Sequence, residues 1–334
     1  MNTTVVPLLG RILLSGLSLV QGYNKLMNVA GTSAGSIVAA LLVGGFDARA
    51  LKDILWSTEY GDFADYGRLG LLSAARNALT RRGLAKGDWF RGWLEDRMAD
   101  SELGKRNPTF ADVARDDLPH DLPAEQANEA RYRLRVIASD ITAGRMLVLP
   151  QDIEGYVDAD GVPYEARSLG IVEAVRMSMS FPFFFEPVTL YRPDEDGNRR
   201  PHLIVDGGIL SNFPVWLFDN PGEVRRPTFG FKLHRGTGEE AAAYREIPRF
   251  LWPLPMATAM FFAATEAWDR RTSKATRVRT VSIPTGEVRT LDFDLGDEDK
   301  RFLHDSGSGS AAAFFGEQHE YLNSFGRSMA PELG

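Results

Sequence analysis

Apolar residues along this chain fall into short runs that suit strands and longer runs with a three-to-four-residue beat that suit helices. The first run, residues 5–20, places Leu9, Ile12, Leu13, Gly16 and Leu17 on one helical face and predicts a buried N-terminal helix. An extended stretch over 25–30 precedes Gly31-Thr32-Ser33-Ala34-Gly35, and the apolar run 36–43 ends in Gly44-Gly45, where a helix terminus wants a left-handed residue. Asp47 is placed to cap a second helix over 48–56. The beat returns where Trp89 and Trp93, and Phe90, Leu94 and Met98, recur at i, i+4, predicting an amphipathic helix.

Further along, strands are predicted over 134–138 and 146–149 around an Asp140–Gly144 turn, and a helix over 170–179. The strands at 187–191 and 203–205 are joined by a polar loop that contains Asp196-Gly197. Two more strands, 228–233 and 278–283, flank an aromatic-rich helical stretch at 250–268. A last helix is expected over 311–325, after a flexible Ser-Gly-Ser-Gly-Ser segment at 306–310. Strands alternating with helices, several apolar on both faces, predict an α/β class: a mostly parallel central sheet sandwiched between helices. No internal repeat is present. The 334 residues suit one α/β domain, with a charge-rich helical insertion at about 57–131 and a helical and strand extension at about 235–334.

Composition narrows the chemistry. Lys and Arg total 38 against 45 Asp and Glu, a net charge of −7, so no overall field favours nucleic acid. The absence of cysteine removes disulfides, thiol nucleophiles and Cys-ligated metal sites. No apolar run is long enough to span a bilayer, and the N-terminal run lacks the basic start and cleavage pattern of a signal peptide. The expected location is the cytoplasm or the periphery of a membrane.

The segment Gly31-Thr32-Ser33-Ala34-Gly35 has Gly-x-Ser-x-Gly spacing. A serine on a sharp strand-to-helix turn needs small neighbours, and it projects at a helix N-terminus whose free N–H groups favour a developing oxyanion. The plainer reading is a tight turn with a helix-capping serine. None of the five histidines, His120, His202, His234, His304 and His319, sits in a suggestive motif. Asp206, ending an apolar strand before Gly207 and Gly208, is the better candidate base, because a carboxylate shielded from water has a raised pKa and can accept a hydroxyl proton directly. In isolation, Asp-Gly-Gly also reads as an Asp-capped turn.

Four segments together resemble the patatin-like phospholipase family: the elbow with Ser36-Ile37-Val38-Ala39-Ala40 after it, the stretch 136–142, the stretch 174–182, and Val205-Asp206-Gly207-Gly208 with Asn212 and Pro214. They occur in the family's order over residues 25–216. The resemblance implies a Ser-Asp dyad with Ser33 as nucleophile and Asp206 as base, no catalytic histidine, and no metal or cofactor. It also implies lipid acyl esters as substrates, in phospholipase A or lysophospholipase fashion, and a sheet between helices. Gly31, Gly35 and the Ala34 N–H would form the elbow and one oxyanion donor, with Gly207 and Gly208 supporting the base.

One departure stands out. The family's Gly-Gly-Gly-x-x-Gly loop corresponds here to Thr3-Thr4-Val5-Val6-Pro7-Leu8-Leu9-Gly10-Arg11, with one glycine and a proline that lacks an N–H. The expectation is either a start further upstream or an impaired, lipid-binding form. A third reading, an α/β-hydrolase triad, would use Ser33, Asp206 and His234 or His304. The aromatics at 181–185 and 250–268 are expected in the core, or else at an acyl-chain pocket or membrane surface.

Overall fold

The structure, a computed structural model, describes residues 28–59, 62, 83–116, 118, 127, 130–211, 213–219, 227–234, 276–286, 288 and 295–317. The N-terminal apolar run, the stretch 250–268, His120, His319 and Asn212 lie outside them.

Strand β1 (Val29–Thr32) leads through Ser33 into helix α1 (Ala34–Val43), so the strand extends into the Gly-x-Ser-x-Gly motif itself. α1 is buried along almost its whole length. Its end is closed at Gly45, whose φ of 101° is the left-handed residue that the glycine pair predicts, with Phe46 N–H donating back to Leu41 O at 3.2 Å. The Asp47 carboxylate accepts from Ala50 N at 2.8 Å and starts α2 (Ala48–Ser57), which buries Leu51, Ile54 and Leu55. Within the predicted insertion lie β2 (Gly83–Ala85) and α3 (Asp88–Ala99). α3 buries Phe90, Leu94 and Met98 at the predicted spacing, while Trp89 is exposed.

The main sheet uses β3 (Leu134–Asp140), β4 (Arg145–Leu149), β6 (Val188–Pro193) and β7 (Arg199–Asp206) with β1. Helix α4 (Ile171–Ser178) and the short strand β5 (Phe183–Phe185) connect its halves. β3 is buried on both faces. Val136, Ala138 and Ile204 share one core cluster with α1 and α4.

The α/β class and the flanking helices are as predicted, but the pairing is mixed rather than mostly parallel. β1 and β3 run parallel, whereas β3–β4, β3–β7 and β6–β7 are antiparallel. The cause is loop length: the turns after β3 and β6 are too short for a crossover, so each chain must return as a hairpin. Smaller parallel pairs join β2 to β5, and β8 (Gly230–His234) to β9 (Thr280–Pro284).

The register of β3 determines where the chemistry sits. β4 pairs with Val136–Asp140 along one edge of β3. Both β1, with Thr32 opposite Ile137, and β7, with Asp206 opposite Ala138, must therefore lie along the other edge. They meet there end to end.

The segment 306–310, expected to be flexible, is instead inside helix α5 (Asp297–Glu317). Leu303, Gly307 and Ala311 form a buried stripe at i, i+4, i+8, and the Ser306 hydroxyl donates to Pro284 O of β9 at 2.6 Å. Docking of this small-residue face outweighs the low helix propensity of Gly and Ser.

The tightest backbone approach is at Gly31, where an added Cβ would lie 2.2 Å from Gly35 O. At Gly35 itself the same addition meets nothing within 4 Å. Gly31→Ala is expected to lower unfolding stability in urea by about 2 to 3 kcal/mol. Gly35→Ala is expected to leave stability unchanged or raise it by up to about 1 kcal/mol.

Candidate active site

Ser33 is the one non-glycine residue of positive φ among the described residues, with φ 54° and ψ −132°. Such a conformation costs an L-residue about 1 to 3 kcal/mol and persists only where its surroundings hold it. Here they do so on three sides. The Ser33 carbonyl accepts from Ser36 N at 2.8 Å and from the Ser36 hydroxyl at 2.5 Å. The Ser33 N–H donates to Ser178 Oγ at 2.9 Å, and Gly31 leaves room for α1 to turn back over β1. Of the two motif glycines only Gly31 is required by contact, so sterics account for half of the expected small-neighbour rule.

The Ser33 hydroxyl donates to Asp206 Oδ2 at 2.5 Å, and both residues are 1% exposed. Asp206 ends β7, and its N–H donates to Ser180 O at 2.9 Å. Its second oxygen, Oδ1, accepts from Gly208 N at 2.7 Å and caps the 3-10 turn Gly207–Ile209. One oxygen of this carboxylate thus caps the turn while the other accepts the Ser33 hydroxyl. Gly207 is fixed by crowding, since a Cβ there would lie 2.3 Å from Ile137 O. Burial pushes the Asp206 carboxyl up to about 7, even though the bonds from Ser33 and Gly208 favour its charged form.

Ala34 opens α1, so its N–H has no acceptor within the helix. The stretch 3–11, expected to stand where the family has its glycine-rich loop, lies outside the described residues. Thr32 Oγ1 donates to Ser211 O at 3.0 Å, and Trp216 Nε1 donates to Ser211 Oγ at 3.2 Å, tying the chain beyond Gly208 to β1. Pro214 begins the next 3-10 turn, Pro214–Phe218.

With these distances in hand, comparison with known proteins is decisive. Residues 22–219, more than half the chain, match the family model described as Patatin-like phospholipase. The chain belongs to the patatin-like phospholipase family. It is 31% identical over 290 residues to the uncharacterized protein YqhO of Bacillus subtilis (strain 168), covering 85% of this chain and 86% of that one. VipD from Legionella pneumophila has a similar structure, with a TM-score of 0.53 at 16% identity over 94% of this chain and 66% of VipD. The type III effector protein ExoU aligns with a TM-score of 0.39 at 16% identity, over 92% of this chain and 51% of ExoU. The patatin-like family supports lipid acyl hydrolysis as the general chemistry, and lipids as the substrate class.

The other matched segments have structural work in this patatin-like fold. Asp140, fully buried at the end of β3, accepts from Thr142 N at 3.0 Å, Ala143 N at 2.9 Å and the Tyr156 hydroxyl at 2.5 Å, and His202 Nδ1 lies 2.6 Å from it. Burial pushes its carboxyl up, but these bonds outweigh it and hold the group below the usual carboxylate range. His202 is thereby engaged away from Ser33. His304 pairs with Asp305 at 3.2 Å and stacks edge-on with Trp56, and His234 ends β8. Phe181, Phe184 and Phe185 are buried in the core.

Sequence reasoning missed Ser178 and Ser180, although both lie in the matched stretch 174–182. The available signal is a pair of serines, two residues apart, on and just beyond the end of an amphipathic helix. Among the described residues no cluster of three or more His, Asp or Glu could hold a metal, and no helix is long and apolar enough to cross a membrane.

The raised pKa of Asp206 has a thermodynamic consequence. An unfolded-state carboxyl near 3.8 titrates below the folded one near 7, so between those values the folded protein binds more protons. Its contribution to stability therefore falls as pH rises from about 4 to 7. Asp206→Asn, which keeps the shape and removes the charge, is expected to gain about 1 to 3 kcal/mol at pH 8 relative to wild type, with the gain shrinking toward pH 4. Urea denaturation at both pH values measures it.

Proposed function

We propose that this protein hydrolyses lipid acyl esters through a Ser33–Asp206 dyad, in the manner of a phospholipase A or lysophospholipase. The observation that carries this reading is the direct 2.5 Å bond between the buried Ser33 hydroxyl and the Asp206 carboxylate, with no imidazole between them. It favours a dyad over an α/β-hydrolase triad through His234 or His304.

In the first step Ser33 Oγ attacks the ester carbonyl carbon while Asp206 Oδ2 takes the hydroxyl proton. The tetrahedral intermediate collapses, the ester C–O bond breaks, and the proton passes from Asp206 to the departing alcohol oxygen. Water then attacks the acyl-enzyme, giving its proton to Asp206. The second intermediate expels Ser33 Oγ, which recovers that proton as the fatty acid leaves. A carboxyl that titrates near 7 suits both directions of transfer at neutral pH. The Ala34 N–H and the positive end of α1 face the developing oxyanion, and one such donor contributes on the order of 100- to 1,000-fold in kcat.

Ser33→Ala and Asp206→Ala are each expected to lower phospholipid or p-nitrophenyl ester hydrolysis by about 1,000-fold or more. A fluorophosphonate probe should label wild type at Ser33 alone, as read by peptide mass spectrometry. His234→Ala and His304→Ala should keep wild-type rates. Full turnover in Ser33→Ala, or loss of it in either histidine variant, would remove the dyad. Wild type that binds lipid vesicles but neither turns over nor takes the probe would be a lipid-binding protein with a silent site.

A further inference from the structure

The last turn of α4 touches both halves of the candidate dyad. Ser178 is fully buried, accepts the Ser33 N–H at 2.9 Å, and donates its own proton to Ile137 O at 2.6 Å. Because the hydroxyl oxygen already receives the amide proton, its O–H is directed to Ile137, and the chain Ser33 N–H, Ser178 O–H, Ile137 C=O has one polarity. Two residues on, the Ser180 carbonyl accepts the Asp206 N–H at 2.9 Å. The same Ile137 carbonyl is the atom against which Gly207, next to Asp206, is closely packed. One backbone oxygen of β3 therefore serves as a fixed point for both the nucleophile and the base.

This turn is held in its own right. The Arg176 guanidinium donates to Ser180 Oγ at 2.6 Å, to Lys86 O at 2.5 Å and to Glu186 O at 3.0 Å, and it lies over the Phe185 ring at 5.3 Å. Gly87 is confined beside it, since a Cβ there would lie 2.5 Å from Arg176 Nε. The end of α4 is thus cross-linked to the approaches of α3 and β6 before it meets the site.

Resting on the dyad reading above, we infer that Ser178 is a positioning residue. Its hydroxyl holds Ser33 in the positive-φ conformation that aims Oγ at Asp206, acting through the Ser33 amide without touching substrate. A serine at φ 54° has an extended or helical alternative of lower intrinsic energy, and in either one its side chain leaves the Asp206 carboxylate. Loss of the tether should therefore reduce the fraction of molecules with an aligned nucleophile, which lowers kcat and spares KM.

The test compares wild type, Ser178→Ala, Ser178→Thr and the control Thr58→Val. Thr58 is a buried hydroxyl bonded at 2.7 Å to Ile54 O at the end of α2, with no bond to the site. Ser178→Ala should lower kcat for a p-nitrophenyl ester and the rate of fluorophosphonate labelling together, by about 10- to 100-fold, with KM within about twofold. Ser178→Thr, which keeps the hydroxyl, should recover most of that rate. Thr58→Val should lose thermal stability but label at the wild-type rate.

Amide hydrogen exchange supplies a readout independent of activity. The Ser33 amide should exchange at least about tenfold faster in Ser178→Ala, while the Leu41 and Leu42 amides within α1 keep their protection. Unchanged Ser33 exchange overturns the tether. Faster exchange with an unchanged labelling rate overturns the positioning role, as does a labelling loss in Thr58→Val equal to that in Ser178→Ala. No adduct on wild-type Ser33 would instead sink the dyad reading and the positioning role with it, leaving the exchange result to report on the tether as a structural bond.

Discussion

Two strands meeting head-on along one edge of β3 bring a residue from each into contact, and the rest of the site depends on that meeting. β1 runs up the edge to Thr32 opposite Ile137, and β7 runs down it to Asp206 opposite Ala138. Ser33 follows directly after β1, so the adjacent β3 positions Ile137 and Ala138 hold the residue before Ser33 and Asp206 respectively, and the two groups of the proposed dyad come together. A one-residue slip of either partner would send its side chain to the other face of the sheet. The register is resistant to slipping because β3 is buried on both faces and its opposite edge is taken by β4. Hairpin returns at β3–β4 and β6–β7, which make the sheet mixed, are what allow β7 to come back toward β1 at all.

Contact alone does not make a base. Asp206 is in a place where a carboxylate is disfavoured, with two donors and almost no access to water. Burial wins over those two bonds and its pKa rises, whereas Asp140, shielded from solvent but less deeply set in the protein and met by backbone amides, a tyrosine hydroxyl and a histidine, has a lowered one. The contrast separates two aspartates that look alike in the sequence, each at the end of an apolar strand before a glycine-containing turn. Depth of burial and the number of donors together mark one as an anchor for the 140–156 segment and the other as a group whose carboxyl titrates near neutral pH.

Much of this is legible in the sequence. Local rules carried far where the signal was local: the Asp47 cap, the Gly45 helix end, the Phe90–Leu94–Met98 stripe and the hairpin around Asp196-Gly197 all formed as read. Ser33 and Asp206 were picked out by motif, and the structure brings them within hydrogen-bond reach. What the sequence hid depends on tertiary contact. Strand direction is not legible, because apolar runs buried on both faces look the same in parallel and antiparallel pairs. Ser306–Ser310 read as flexible because Gly and Ser disfavour helix in isolation, whereas their small size is what lets α5 lie close on β9. Ser178 went unassigned because a helical serine gives no sign of which backbone amide it will meet.

The dyad is tested most directly by the pH dependence of fluorophosphonate labelling at Ser33, followed by peptide mass spectrometry in wild type and Asp206→Asn. If Asp206 is the base that removes the Ser33 proton, the wild-type rate rises with pH through one ionisation near 7 and the variant labels at least about 1,000-fold more slowly. A wild-type rate that is flat across neutral pH, or one that Asp206→Asn leaves intact, would contradict it.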